Sequence, residues 1–178
     1  CQDNEISWVN WDLSEQDNDL LEFTRTMMWL RRDHPVLRRR RFFTGDARHG
    51  GESELGEIEW LTPAGESMTD QDWTTWYARA MMVFLNGEAI AEPDERGQRI
   101  VDDSFLVLIN ASDEDITFTL PGEGYAPTWK VALDTAPAVD GDSDPVLAAD
   151  DTVVVEARSM LFLIDAPESA ATTERHPR

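Results

Sequence analysis

The chain has 178 residues, 41% of them apolar, with seven tryptophans and a net charge of −21; this is room for one domain, or one domain plus part of another, and enough apolar content to exclude a disordered chain. The charge repels nucleic-acid phosphates and anionic lipid, so neither nucleic acid nor membrane is an expected partner, whereas a neutral sugar polymer meets no such barrier. No stretch approaches the roughly 20 apolar residues of a membrane helix, and the single cysteine, Cys1, excludes an internal disulfide and a multi-cysteine metal site.

The opening segment, Cys1 to Asp12, sets amides and carboxylates beside Trp8 and Trp11. Carbohydrate sites need this mix, because an indole face stacks on a pyranose ring while polar groups take its hydroxyls. A core role for the two tryptophans is the plainer alternative. The segment has no basic n-region and no apolar h-region, so no signal peptide is expected. A start without methionine suggests a cut from a longer protein, and a reducing cytoplasm is the expected compartment. Residues 1–41 hold eight acids and seven arginines, so almost all the negative excess lies beyond them. That shift, near residue 42, marks a domain boundary.

Residues 14–33 are predicted to be a helix. Ser14-Glu15-Gln16-Asp17 resembles a capping box, and Leu20, Phe23, Met27 and Leu30 come next at helical spacing, joined by Leu21 and Met28. The apolar stripe is wide, so the helix should pack against a large body. Pro35 ends it and biases His34 to extended geometry; His34 reads as a local cap. The run Arg38 to Arg41 sits amid acids, which favours ion pairing across a domain junction over a phosphate patch.

Beyond residue 42 the pattern turns to short apolar runs bounded by turn residues. Predicted strands are 58–61, 80–85, 105–110, 116–120, 129–133, 152–155 and 160–164. Thr69-Asp70-Gln71-Asp72 is a second capping box, opening a helical turn through Trp73 and Trp76. Residues 134–151, rich in Asp, Ala, Pro and Gly, read as an exposed loop, and the tail from residue 166 as disordered. Many short strands with Gly, Pro, Asn and Asp punctuation give a mainly β chain with an antiparallel sandwich.

Glycosidase chemistry needs two carboxyl groups about 5 Å apart in the retaining case, one with a raised pKa. Asp3 with Glu5 and Asp102 with Asp103 are neighbours in sequence, but among 36 acids such pairs arise by chance, and Asp102-Asp103 reads as a turn before a strand. His34, His49 and His176 are scattered without metal-ligand spacing. No Gly-x-Ser-x-Gly elbow, P-loop or dinucleotide fingerprint is present. No metal and no cofactor is expected.

The segment Cys1-Gln2-Asp3-Asn4-Glu5-Ile6-Ser7-Trp8-Val9-Asn10-Trp11 resembles a signature of the bacterial glycogen-debranching enzymes of the isoamylase type, in the α-amylase superfamily. Leu20 to Arg32, His34-Pro35-Val36-Leu37-Arg38-Arg39 and Arg40-Arg41-Phe42-Phe43 resemble the last barrel helix of that family and its end. Ile58-Glu59-Trp60-Leu61, Met68-Thr69 with Asp72-Trp73, Phe84-Leu85-Asn86-Gly87, Asp102 to Leu106 with Asn110-Ala111, and Ala157-Arg158-Ser159 resemble its C-terminal β-domain. The resemblance covers residues 1 to about 165. It implies that residues 1–41 are the last loop and helix of a catalytic (β/α)8 barrel, that 42–165 are a C-terminal β-sandwich, and that 166–178 form the tail.

The resemblance further implies a parent enzyme that hydrolyses α-1,6 branch linkages of glycogen or limit dextrin by retaining chemistry. The catalytic carboxylates of that family lie on earlier barrel strands and none of their motifs is here. One loop and one helix cannot build a barrel site, so the chain alone is expected to be inactive. Asp3, Asn4, Glu5 and Trp8 would line or buttress the substrate cleft of the parent, with no catalytic assignment. The alternatives are a stand-alone carbohydrate-binding module, with a platform drawn from Trp60, Trp73, Trp76 or Trp129, and a protein-interaction module. At strand spacing those tryptophans are expected in the core.

Overall fold

Strand β3 (Phe105–Asn110) is apolar at every position but the last and sits at the centre of the main sheet. A strand whose two faces are both covered has no need of polar alternation. The computed structural model describes residues 2–43, 55–75, 79–136 and 145–166. Six strands form one sheet in the order β1 (Ile58–Leu61), β2 (Ala80–Leu85), β3, β8 (Ser159–Asp165), β5 (Thr128–Asp134) and β6 (Val146–Ala148). Two more, β4 (Ile116–Thr119) and β7 (Thr152–Val155), pair as a second sheet. Every pairing is antiparallel. The register slips once, between Val131 and Leu133 of β5.

The main core lies between the two sheets. Leu61, Met82, Phe84, Leu106, Leu108, Trp129 and Leu163 meet Phe118, Leu120 and Val155 there. Trp129 is 0% exposed, and Phe84 packs edge-on against it and against Tyr125. At the end of β3, Asn110 is buried with its amide donating to the carbonyls of Glu114, Val155 and Glu156, while its own oxygen accepts from the Ser112 N–H. A buried amide so bonded locks the β3–β4 turn to the end of β7.

The opposite face of the main sheet carries a smaller cluster. Val36, Ile90 and Phe105 form its centre, joined by Leu30, Leu37, Leu85, Ile100, Ala132 and Ile164. Val36 belongs to a 3₁₀ turn, Pro35–Arg38, that comes after helix α1 (Glu15–Asp33). Helix α1 begins on the predicted capping box: the Ser14 hydroxyl accepts from the Asp17 N–H, and Asp17 accepts from the Ser14 N–H. The same device opens α2 (Asp70–Thr74) at Thr69 and Asp72. Each satisfies two backbone donors that a helix start leaves open.

The predicted strands are present, and two readings need correction. The exposed loop expected at 134–151 contains strand β6, which pairs Val146 with Lys130, Leu147 with Trp129 and Ala148 with Thr128. Its composition hid it, because a three-residue edge strand follows its neighbour's open edge rather than a periodic pattern of its own. The pair Asp102-Asp103 is more than a turn before β3, since Asp102 reaches back to His34 and Val36. Trp76 and the tail expected to be disordered from residue 166 onward lie outside the described residues, Ala166 apart. Among the described residues no helix is long and apolar enough to cross a membrane.

Candidate functional site

All four predicted binding residues lie in one small loop, and Asp3, Asn4 and Trp8 take part in its hydrogen bonds. The Trp8 indole N–H donates to Asp3 Oδ1 at 2.6 Å. Between them Asn4 closes the turn: its side-chain oxygen accepts from the Ile6 N–H at 3.2 Å, and its carbonyl accepts from the Ser7 N–H at 2.9 Å. Glu5 is exposed in the turn, without a bonded partner among the described residues. Trp8 is thus held by its one polar atom while 64% of the residue stays open to solvent. Trp11, Ile6 and Val9 beside it are exposed as well. A ring fixed by its edge with an open body can stack on an apolar or pyranose surface, but no second wall closes over it here.

Helix α1 continues that exposure. It contributes no fully buried residue. Leu20, Leu21, Met27, Met28 and Trp29 are all exposed, with Leu20 at 63% and Trp29 at 47%. Arg32 lies over the Trp29 ring at 3.6 Å from its centroid. A contiguous apolar flank of this kind marks a contact surface without its partner.

Beside the apolar contact of Leu30, Val36 and Leu37, polar groups tie α1 to the β-body. The Asp102 carboxylate accepts from the Val36 N–H at 2.9 Å and bonds His34 Nδ1 at 2.9 Å, and the His34 ring stacks edge-on against Phe105. His34 also caps α1 through its own N–H to the Leu30 carbonyl. The pair read as an ordinary turn is therefore a clasp between residues 68 apart in sequence. His34, Asp102 and Asp103 offer ligand atoms within 4.8 Å of one another. Both Asp102 oxygens are already engaged, by His34, by the Val36 N–H and by the Asp103 N–H, which fits a structural clasp.

A second tie comes from the arginine run. Arg39 is buried, its Nη2 2.8 Å from Glu57 and its Nε 3.4 Å from Glu92. Glu92 also accepts from the Arg40 and Arg41 N–H groups. Burial pushes the Glu92 carboxyl up, but those donors and the Arg39 charge outweigh it and hold the group below its ordinary value. The expected ion pairing of the run thus rests on Arg39, whose guanidinium also lies over Phe43. Arg38 instead donates to the Arg32 carbonyl.

Asp165, at the end of β8, is shifted the other way. Burial pushes its carboxyl up to about 6, and the negative charges of Asp103, Glu88 and Asp102 add to this. Its Oδ1 is buried without a partner among the described residues. Sequence reasoning missed it, since nothing local distinguishes Asp165 from the other acids. It missed a surface feature too: Trp60 and Trp73 are exposed rather than core, 38% and 50% respectively, and meet edge to face at 5.3 Å. Trp129 alone of the described candidates is in the core.

Comparison with known proteins places these features in a family context. Residues 57–166 match the family model described as isoamylase, C-terminal. Over 163 residues, 92% of its length, the chain is 50% identical to the glycogen operon protein GlgX homolog of Mycobacterium tuberculosis, of which it spans 22%. It is 30% identical over 132 residues to the glycogen debranching enzyme of Dickeya chrysanthemi, covering 74% of this chain and 16% of that one. Among solved structures it resembles a pullulanase from Anoxybacillus sp. complexed with maltotetraose, with a TM-score of 0.51, 13% identity, and coverage of 91% of this chain and 17% of that one. The last likeness is one of fold.

Proposed function

Since the chain belongs to the isoamylase C-terminal family, we propose that it is the C-terminal portion of a glycogen-debranching glycoside hydrolase acting on α-1,6 branch linkages of glycogen or limit dextrin. The observation that carries this reading is the extent of the match. The 50% identity runs over 92% of the chain yet over only 22% of the relative, so it reaches beyond the family-model residues 57–166.

On this reading residues 1–41 are the end of the catalytic barrel and 42–165 its β-sandwich appendage. The exposed flank of α1 faces the missing barrel, and the His34–Asp102 clasp with the buried Arg39 fixes that helix to the appendage. Asp3, Asn4, Glu5 and Trp8 lie at the margin of the substrate cleft, where Asp3 orients the Trp8 indole for stacking. The carboxylates that cleave the bond come from the upstream part, because a barrel site draws on several strand-end loops. The β-body then supports the barrel.

A reducing-end assay on glycogen limit dextrin tests the proposal. The 178-residue chain alone should release no branches, and a longer protein that carries upstream barrel strands should. Branch cleavage by the chain alone, or a longer protein without debranching activity, would overturn it.

A further inference from the structure

We propose that Trp60 and Trp73 form a binding site for α-linked glucan on the β-body, separate from the opening loop. This rests on the reading that the parent acts on α-glucan, and it adds a second point of contact with that polymer.

Trp60 lies on β1, the edge strand of the main sheet, next to Leu61. Successive strand residues point to opposite faces, so Leu61 enters the core at 0% exposed while Trp60 faces away from it. Trp73 arrives from α2. Two indoles from separate elements meet in the open, although burying them would be the ordinary outcome.

The backbone that carries them is fixed. The turn after β1 closes through Thr62 N–H to Glu66 O at 2.7 Å and Gly65 N–H to Thr62 O at 3.0 Å. Gly65 has φ +84°, and a β-carbon there would stand 3.0 Å from the Thr119 carbonyl, so the turn needs glycine. Thr119 N–H to Pro63 O ties the turn to β4, and Met68 N–H to Trp60 O ties the returning chain to β1. The Thr69–Asp72 capping box then sets the start of α2, with its last member one residue before Trp73. Rigid aromatic groups lose little entropy when a ligand seats on them.

The contact bears on the ligand. The rings meet edge to face at 74°, so the edge of one indole covers part of the other's face and the exposed remainder offers a single stacking surface. An α-glucan, the polymer of the proposed parent, is curved and presents one pyranose at a time to such a surface, whereas a β-1,4-glucan is a flat ribbon that needs several coplanar rings. Hydrogen bonding is at hand as well. Asp72 uses Oδ2 for the cap, and the bonds from Thr69 hold its carboxyl below the ordinary value, so it stays an acceptor for sugar hydroxyls at neutral pH. A neutral polyol also suits a surface whose net charge is −21.

Affinity electrophoresis of the whole chain through gels holding amylopectin or hydroxyethylcellulose, a soluble β-1,4-glucan, reads the proposal, with circular dichroism melting as the check on folding. The chain should be retarded by amylopectin and run freely in hydroxyethylcellulose. Trp73→Ala should weaken the amylopectin affinity about tenfold or more, as loss of an aromatic anchor does; Trp60→Ala should do likewise, and Trp73→Tyr should keep part of the affinity. No retardation, equal retardation by both glucans, or full retardation kept by both Trp73→Ala and Trp60→Ala would overturn the proposal. Debranching by the longer protein is a separate readout: its absence would sink the reading of the parent, and loss of retardation alone would sink only this site.

Discussion

Trp129 and Trp29 are the same residue in two parts of one chain, yet Trp129 is fully buried between two sheets and Trp29 is 47% exposed on a helix. The β-body fills its own core. Its core side chains meet one another across the sandwich, and Asn110 answers the carbonyls at the strand ends. Helix α1 has good local chemistry, with a capping box at one end and a histidine cap at the other, but little tertiary contact beyond Leu30. Most helical stability in proteins comes from the packing of an apolar face rather than from propensity. The difference teaches that one segment carries its own stability and the other awaits a partner.

The strongest way to break the contrast is to empty the core. Phe84→Ala should cost about 3–5 kcal/mol in urea unfolding of the chain, and a cost near zero would mean that the sandwich core is not what holds the β-body. Next comes the joint between the two regions. Arg39→Met takes the guanidinium away from Glu57, which is 0% exposed, and from Glu92, so it should cost about 3–5 kcal/mol as well and loosen α1 along with the body. A loss confined to the body, with α1 unchanged in far-UV circular dichroism, would show that the joint does not couple them.

A milder and pH-dependent effect should mark the body alone. Asp165 keeps its proton up to about 6 when folded, against an ordinary value of 3.8. The stability this gives is present below the ordinary value and is lost as pH rises toward 6. Asp165→Asn should therefore flatten the fall in urea midpoint across that window and leave the chain more stable than wild type at pH 7. An unchanged profile would remove the claim. The smallest effect belongs to the helix. Leu20→Ala, at a residue 63% exposed, should shift the stability of this chain by about 0.5 kcal/mol or less, and should cost more once the upstream part is present.

How much of the molecule was legible in the sequence depends on the range of each interaction. Both capping boxes join residues three apart, so Ser14 with Asp17 and Thr69 with Asp72 were readable directly. The strands of the body announced themselves through apolar runs and turn residues. The wide stripe on α1 was legible too, and in this chain it stays exposed. Longer-range features left no local trace. His34 finds Asp102 across 68 residues, and Arg39 finds Glu92 across 53. Strand β6 is held by the open edge of β5, not by its own pattern. Trp60 turns away from the core face that Leu61 enters, and Trp73 meets it from α2, a juxtaposition of two elements that spacing along the chain does not encode.

Amide hydrogen exchange across Glu15–Asp33, compared between this chain and a longer protein that includes the upstream barrel, tests the division most directly. The helix should exchange fast here and slow markedly in the longer protein, while β3 stays protected in both. Equal protection of the helix in the two would contradict the proposal that its apolar flank is completed by an upstream part of a longer protein.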